Sequence, residues 1–455
     1  MDRLMVSVSG VRGTVGGTLT PRVACEFGCA YAAMLGAGKT VTVGRDSRTS
    51  GPMVRGAIVS GLLAGGVNVV DLGVASTPVC AWMTRRLGAG GGVIITASHN
   101  PAQYNGMKFL QPIGTGLVAA DAERLKDIWQ AGQFNLAGHG GQGGECFDPS
   151  GPVGHVQAVL DQCDAGSVAA RRFIVVVDSV NGAGGPEARL LLDSLGCKLT
   201  HLNAEPTGRF AHNPEPVAEN LADLCQAVRE QHAAVGFAQD ADADRLAIVD
   251  ENGTFIGEEY TLALCAAFVL RSRKGPLATN LATSRMIDDV AARAGCRVLR
   301  TPTGEANVVD AMLSGGCIFG GEGGGGVIDP RVVLVRNSFV GMAMVLQYLA
   351  ETGKPLSELV AEIPRYVMLK TRMPCPAQAA QKVVARAKVA FAGRPGATLN
   401  DSDGLRIDLP GRWVCVRASN TEPIMRIIAE APDQNAAEAL VAEVRQLADE
   451  VLMGE

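Results

Sequence analysis

Short apolar, β-branched runs alternate along the chain with longer segments whose apolar residues recur at helical spacing. Val41–Val43 reads as a strand, Met53–Leu63 as a helix, Val67–Val70 as a strand, Val79–Leu87 as a helix and Val93–Ile95 as a third strand. The order β-α-β-α-β points to α/β layering. A second round follows, with strands at Phe173–Val177, Lys198–Leu202 and Val235–Ala238 and helices at Glu187–Leu195 and Val217–Gln231. A third round places helices at Glu258–Arg271, Ser284–Ala294 and Glu305–Leu313 between strands at Leu277–Thr279, Arg297–Arg300 and Cys317–Phe319. From Arg365 the pattern changes to β-α-β-β-β-α, through Ala377–Phe391, Gly404–Asp408, Trp413–Arg417, Ile424–Ala431 and Gln434–Leu452. The expected fold class is α/β: three similar mixed α/β sheet domains followed by a C-terminal α+β domain.

Glycine and proline punctuation sets the boundaries. Residues 132–152 (GQFNLAGHGGQGGECFDPSGP) have little periodicity, Asn252-Gly253 marks a turn, and Gly353–Pro364 is a softer break. The expected units are 1–148, 149–252, 253–362 and 363–455.

Composition narrows the classes. With 47% hydrophobic and 19% charged residues and a mean hydropathy of +0.16, the chain is not a disordered one. Glycine supplies 56 of 455 residues, well above the ~7% of average usage, and no Gly-X-Y period absorbs the excess. Glycine-rich loops of this kind often surround phosphates. A net charge of −5 and 4% aromatic residues leave neither a basic stripe nor stacking platforms for nucleic acid. An anionic ligand would therefore be held by local donors. Twelve cysteines without a C-x-x-C pair fit free, buried thiols in a reducing cytoplasm better than zinc or disulfides. The longest apolar run, Leu262–Leu270, is too short to span a bilayer, and MDRLMVSVSG lacks a signal-peptide layout. A cytoplasmic protein without membrane partners is expected.

Each α/β unit ends a strand on a chemically unusual loop. In QDADADR (239–245), Asp240, Asp242 and Asp244 alternate. If the segment is extended, all three carboxylates share one face, and a hard divalent cation such as Mg²⁺ relieves their repulsion. Arg245, a candidate bidentate phosphate ligand, stands where a calcium loop would need glycine. In TASHNP, Ser98 and His99 follow the Val93–Ile95 strand. Without G-x-S-x-G a hydrolase elbow is unsupported, and a serine that accepts a phosphoryl group beside a divalent cation is the sharper reading. Pro101 at a first helical position would present backbone N–H groups to an anion. GEGGGG (321–326) offers the lone acid Glu322 to sugar hydroxyls. RASNTEP (417–423) gathers Arg417, Ser419, Asn420 and Thr421, with Arg426 nearby, as a phosphate cradle. Two other glycine patterns carry no such reading. Ala33–Thr40 precedes a strand where a P-loop must follow one, and Gly182–Gly185 lacks the third glycine of a dinucleotide fingerprint and reads as a close strand–helix turn.

Taken in order, these loops resemble those of the α-D-phosphohexomutase superfamily of phosphoglucomutases, phosphomannomutases and phosphoglucosamine mutases. SGVRG (9–13), TASHNP with YNGMK (104–108), HNPEP (212–216), DADADR, TPTGE (301–305), GEGGGG and RASNTEP all have counterparts there. The resemblance implies four domains around a central cleft and a mutase that moves phosphate between the two ends of a hexose through a 1,6-bisphosphate. It implies Ser98 as phosphoryl carrier and Mg²⁺ held by Asp240, Asp242, Asp244 and the Ser98 phosphate. Arg12 and Lys108 would lie near the transferring group, Lys108 or His99 would assist proton transfer, and Arg245 would help position the phosphoserine. Thr303, Gly304, Glu322 and Gly324 would bind the sugar, and Arg417, Ser419, Asn420, Thr421 and Arg426 the idle phosphate. A trace of hexose 1,6-bisphosphate would serve as activator, and the enzyme would act as monomer or homodimer. Gly324 and Gly326 depart from the Ser and His of many phosphomannomutases and resemble phosphoglucosamine mutases, as does Glu422, whereas Asn420 resembles the phosphomannomutase form. Glucosamine 6-phosphate is the leading substrate, with glucose or mannose phosphate next. A serine-phosphorylated phosphatase and a non-catalytic sugar-phosphate binder are the competing readings.

Overall fold

The computed structural model describes residues 4–418 and 423–454. Among the described residues the strands form four sheets. The first is seven-stranded, in the spatial order Met5–Ser7, Gly10–Thr14, Tyr104–Leu110, Gly91–Ile95, Thr40–Arg45, Asn68–Val74 and Glu145–Phe147. The second runs Leu246–Val249, Val235–Gln239, Ile174–Asp178, Lys198–Leu202, and the third Val298–Thr301, Leu277–Asn280, Phe319–Glu322, Gly326–Ile328. The last is a five-stranded antiparallel sheet, Val367–Pro374, Ile424–Ala431, Arg412–Ala418, Leu405–Leu409, Thr398–Asn400. The segment expected to be a structureless linker contributes the short strand Glu145–Phe147, which pairs in parallel with Val69–Asp71. All three of its residues are exposed, so no apolar alternation announces it.

The repeat has a consequence for function. In each α/β unit a buried strand is followed by an antiparallel partner: Gly91–Ile95 with Tyr104–Leu110, Val235–Gln239 with Leu246–Val249, and Phe319–Glu322 with Gly326–Ile328. TASHNP, DADADR and GEGGGG occupy these three hairpin connections. RASNTEP joins the antiparallel pair Arg412–Ala418 and Ile424–Ala431. Reversal of the chain at a strand end leaves backbone groups unpaired, which is where ligand-binding loops are cheapest to build.

Helix starts are capped from the sequence. Thr20, Ser76, Asp433 and Asn337 accept a backbone N–H at the head of the Pro21–Leu35, Thr77–Arg86, Gln434–Met453 and Ser338–Thr352 helices, each cap contributing about 1 kcal/mol. The Pro21–Leu35 and Gly51–Ala64 helices cross at Gly28 and Gly61, where a Cβ would collide with the Ile58 and Cys25 carbonyls respectively. One expected helix is shorter than its apolar spacing suggests: Ala218–Asn220 forms a single 3₁₀ turn and the α-helix begins at Ala222, after Leu221 (φ −111°, ψ 13°) breaks the helical run.

One apolar core runs through the first three units, from Val79 and Trp82 through Val177 and Leu191 to Phe319 and Phe339. The C-terminal unit has its own core around Val383, Phe391, Val414 and Val444. It meets the third unit through polar contacts: Arg406 donates to the Leu281 carbonyl (2.5 Å), the Arg285 N–H donates to Glu430 (2.9 Å), and Lys370 pairs with Glu258. All twelve cysteines are free; half are buried and Cys146 is exposed. Among the described residues no helix is long and apolar enough to cross a membrane.

Candidate active site

Ser98 sits at the tip of the first hairpin, 3% exposed. Its φ of 49° is a left-handed conformation that costs a non-glycine residue about 1–3 kcal/mol unless neighbours impose it. They do so here: the Ser98 N–H donates to Thr96 Oγ1 (2.8 Å), and the Ser98 carbonyl accepts from Arg48 (2.6 Å). The result aims Ser98 Oγ at Asp240 Oδ2, to which it donates at 2.7 Å, with His99 Nδ1 at 3.3 Å. Pro101 opens no helix; it precedes the Tyr104–Leu110 strand, so the expected helix N-terminus at this loop is absent.

The aspartate segment is not extended. Ala243 has φ 57°, its N–H donates to the Asp240 carbonyl (3.0 Å), and the N–H groups of Asp244 and Arg245 converge on Asp240 Oδ1 (3.1 and 3.2 Å). The tight turn gathers the carboxylates that an alternating strand would have aligned. All three are 0% exposed, and one oxygen from each lies within 4.8 Å of the others. Asp242 Oδ2 accepts from Thr77 Oγ1 (2.7 Å) and Lys108 Nζ (2.8 Å), and Asp244 Oδ2 from Arg336 (2.6 Å) and Lys108 (3.4 Å). Asp242 Oδ1 and Asp244 Oδ1 are buried with no partner among the described residues. Two orphaned anionic oxygens beside Asp240 fit a hard divalent cation, which would satisfy both.

The electrostatics divide the site. Burial drives the Asp240 carboxyl well above its ordinary value, reinforced by Asp244 and Asp242. Burial and Asp244 also oppose ionisation of Asp242, but Lys108 and Thr77 outweigh them and hold it low. Arg336, Lys108 and Arg245 do the same for Asp244 against its burial. Lys108 is held above its ordinary value by Asp242 and Asp244, although burial alone would lower it. His99 is pushed down to about 3, first by burial and then by Arg245, so its imidazole is neutral. Burial lowers the Arg12 guanidinium, which feels Asp242, Arg48 and Arg245. The Arg245 Nε is buried without a partner among the described residues.

The third hairpin gathers its contacts around Glu322. Glu322 Oε1 accepts from Asn280 Nδ2 (2.8 Å) and the Gly304 N–H (3.2 Å), and Oε2 from Arg336 (2.7 Å). The Thr303 N–H donates to Asp403 Oδ2 (3.0 Å), which also accepts from Arg417 (3.0 Å). Gly324 faces Arg245. Arg417 lies directly opposite Arg426 on the neighbouring strand. Ser419, Asn420 and Thr421 lie outside the described residues.

Arg336, Thr77 and Arg48 escaped the sequence reading. Arg336 ties Asp244 to Glu322 and Glu305, and a Cβ at Gly326 would collide with its side chain. The second arginine of PRVVLVRNS (330–338) carries no pattern, but the glycine run opposite it did mark the space it fills. Arg48 belongs to GRDSR (44–48), an acid and two bases at the end of the Thr40–Arg45 strand; that strand-end charge was the available cue.

Comparison with known proteins adds an independent finding. Family models match the chain consecutively: phosphoglucomutase/phosphomannomutase α/β/α domain I over residues 3–136, domain II over 154–253, domain III over 257–366 and the C-terminal domain over 368–447. A phosphoglucomutase/phosphomannomutase of Thermococcus kodakarensis is 39% identical over 451 residues, covering 98% of both chains. A second protein of that organism, named probable phosphoglucosamine mutase, is 37% identical, covering 96% of this chain and 97% of its own. A crystal structure of a phosphoglucomutase/phosphomannomutase family protein from Burkholderia thailandensis superimposes with a TM-score of 0.86 at 28% identity, covering 99% of both chains.

Proposed function

The chain belongs to the phosphoglucomutase/phosphomannomutase family and is an isomerase of the phosphohexomutase class; from that premise we propose that it converts glucosamine 6-phosphate to glucosamine 1-phosphate through phosphorylated Ser98 and a 1,6-bisphosphate. The observation that carries the phosphoserine reading is Ser98 Oγ, buried and 2.7 Å from Asp240 at the mouth of the aspartate cluster. The glycine-rich loop at 321–326, which resembles that of phosphoglucosamine mutases, and the 37–38% identical relatives named probable phosphoglucosamine mutase support the glucosamine substrate.

Asp240, Asp242 and Asp244, with the Ser98 phosphate, would hold Mg²⁺, which would supply positive charge to the transferring phosphoryl oxygens. Lys108 and Arg12 add fixed positive charge beside the same position, and Arg245, with its free Nε, orients the phosphoserine. A hydroxyl of the bound sugar phosphate attacks phosphorus; the new O–P bond forms as the Ser98 Oγ–P bond breaks. The proton of the attacking hydroxyl ends on the departing Ser98 Oγ, with His99 Nδ1, 3.3 Å from that oxygen, placed to relay it. The bisphosphate turns end over end, and Ser98 takes the other phosphate by the reverse step. Thr303, Gly304, Glu322 and Gly324 hold the sugar in either orientation. Arg417, Ser419, Asn420, Thr421 and Arg426 hold the idle phosphate. The polar seam between the third and fourth units suits a cradle that must open for this turn, because such interfaces separate at little cost.

The deciding experiment is a panel of glucosamine, N-acetylglucosamine, glucose and mannose 6-phosphates with Mg²⁺ and a trace of 1,6-bisphosphate, followed by ³¹P NMR. The highest kcat/KM is expected for glucosamine 6-phosphate. A preference for glucose or mannose phosphate, the reading favoured by the 39% identical relative's name, would overturn the substrate assignment and leave the mutase chemistry standing.

A further inference from the structure

Arg48 is 1% exposed and uses every donor it has. Nη1 donates to the carbonyls of Pro101 and Tyr104 (both 2.9 Å), Nη2 to those of Ser98 and Asn100 (both 2.6 Å), and Nε to Asp46 Oδ2 (3.1 Å). A guanidinium has five N–H donors, so none remains for a ligand. Its partner Asp46, 0% exposed, also accepts from Thr96 Oγ1 (2.6 Å), the hydroxyl that receives the Ser98 N–H. The same turn faces the second unit. Ser47 Oγ donates to the Asn181 carbonyl (2.8 Å), and Phe210 stacks over the guanidinium at 5.0 Å. Two residues beyond Asn181, the Ala183 N–H donates to the Ala241 carbonyl (2.8 Å), inside the aspartate turn.

We propose that Arg48 is a positioning residue for Ser98: seated on Asp46, it holds the 98–104 loop so that Ser98 Oγ faces Asp240, while Ser47 sets that loop against the unit carrying the three aspartates. The nucleophile and the carboxylates come from different units and must meet to within a fraction of an ångström; the Asp46–Arg48 turn touches the Ser98 loop and, at Asn181 and Phe210, the second unit. The inference rests on the phosphoserine reading above. Lysine cannot replace the arginine, because three donors on a flexible stem cannot span four carbonyls and a carboxylate.

The test uses the full-length protein, Arg48→Lys and Thr96→Val, the latter removing both hydrogen bonds of one hydroxyl at nearly constant volume. Misplacing a reacting group by about 1 Å costs about 10²-fold, so kcat should fall by that order in both variants. KM and the Mg²⁺ affinity of the unphosphorylated enzyme should stay within about threefold, because neither residue reaches substrate or cation. The ³¹P resonance of phosphorylated Ser98 should shift or broaden, a change that loss of general stability would not produce. Should Arg48→Lys fail to fold by circular dichroism, Thr96→Val decides. Unchanged kcat in the folded variants, or KM rising in step with the loss of kcat, overturns the clamp. A parent enzyme that takes no phosphate on Ser98 from the bisphosphate overturns the phosphoserine reading, and the clamp with it.

Discussion

Arg336→Met offers a prediction whose size follows from the site. The side chain, 15% exposed, pairs with Asp244 (2.6 Å), Glu322 (2.7 Å) and Glu305 (3.1 Å) at once. Removing one partner of a buried ion pair costs about 3–5 kcal/mol, because the abandoned charge stays desolvated. Lys108 still faces Asp244 at 3.4 Å, which places the expected cost at the lower end of that range. The loss should be local to the aspartate turn, where the Asp244 and Arg245 amides both donate to Asp240 Oδ1. Native-state hydrogen exchange reads it directly: about 3 kcal/mol is about a 10²-fold faster exchange at those amides. Mg²⁺ should restore more protection to the variant than it adds to the parent, since Asp244 then has lost its strongest cationic partner. At 100 times its Kd a ligand contributes about 2.7 kcal/mol, enough to reverse most of the loss. Exchange rates within about threefold of the parent, or equal Mg²⁺ effects on both proteins, would refute the reasoning.

Further predictions address neighbouring contacts. Thr77→Val removes the 2.7 Å hydrogen bond to Asp242 and should weaken Mg²⁺ binding about 10- to 100-fold, the usual penalty for an outer-shell partner; an unchanged calorimetric Kd would reject that role. His99, depressed to about 3 by burial and Arg245, takes a proton in the unfolded chain near pH 6.5 that the folded protein refuses until about pH 3. Its contribution therefore makes stability fall as pH drops through that window, by up to about 1.4 kcal/mol per pH unit. His99→Gln should flatten the acid limb of a denaturation-versus-pH curve, and an equally steep limb would contradict the assignment. Gly326→Ser forces Arg336 aside, whereas a Cβ at Gly324 meets only Arg245 at 3.7 Å. Gly326→Ser should therefore lose more kcat/KM than Gly324→Ser, and the reverse order would count against the role given to Arg336.

The parts legible in sequence were those with a local signature. Apolar periodicity located most buried strands and helices, and the motif loops stood out because Gly, Asp and Ser clusters interrupted that periodicity. What escaped was set by contacts distant in sequence. The three aspartates were expected on one face of an extended segment, but the turn centred on left-handed Ala243 gathers them instead. Arg336 became visible only when Gly326 and Asp244 were brought to it, 10 and 92 positions away. The Glu145–Phe147 strand lacks an apolar face, so only its pairing with Val69–Asp71 reveals it.

The central claim is that Ser98 carries the phosphoryl group between the two ends of the sugar. Its most direct test is to label the enzyme with ³²P from hexose 1,6-bisphosphate, map the labelled peptide, and chase with unlabelled glucosamine 6-phosphate and Mg²⁺ in a single turnover. The account predicts label on Ser98, none on a Ser98→Ala variant, and transfer of the label to the sugar. Label on another residue, or its release as inorganic phosphate at the rate of isomer formation, would contradict it.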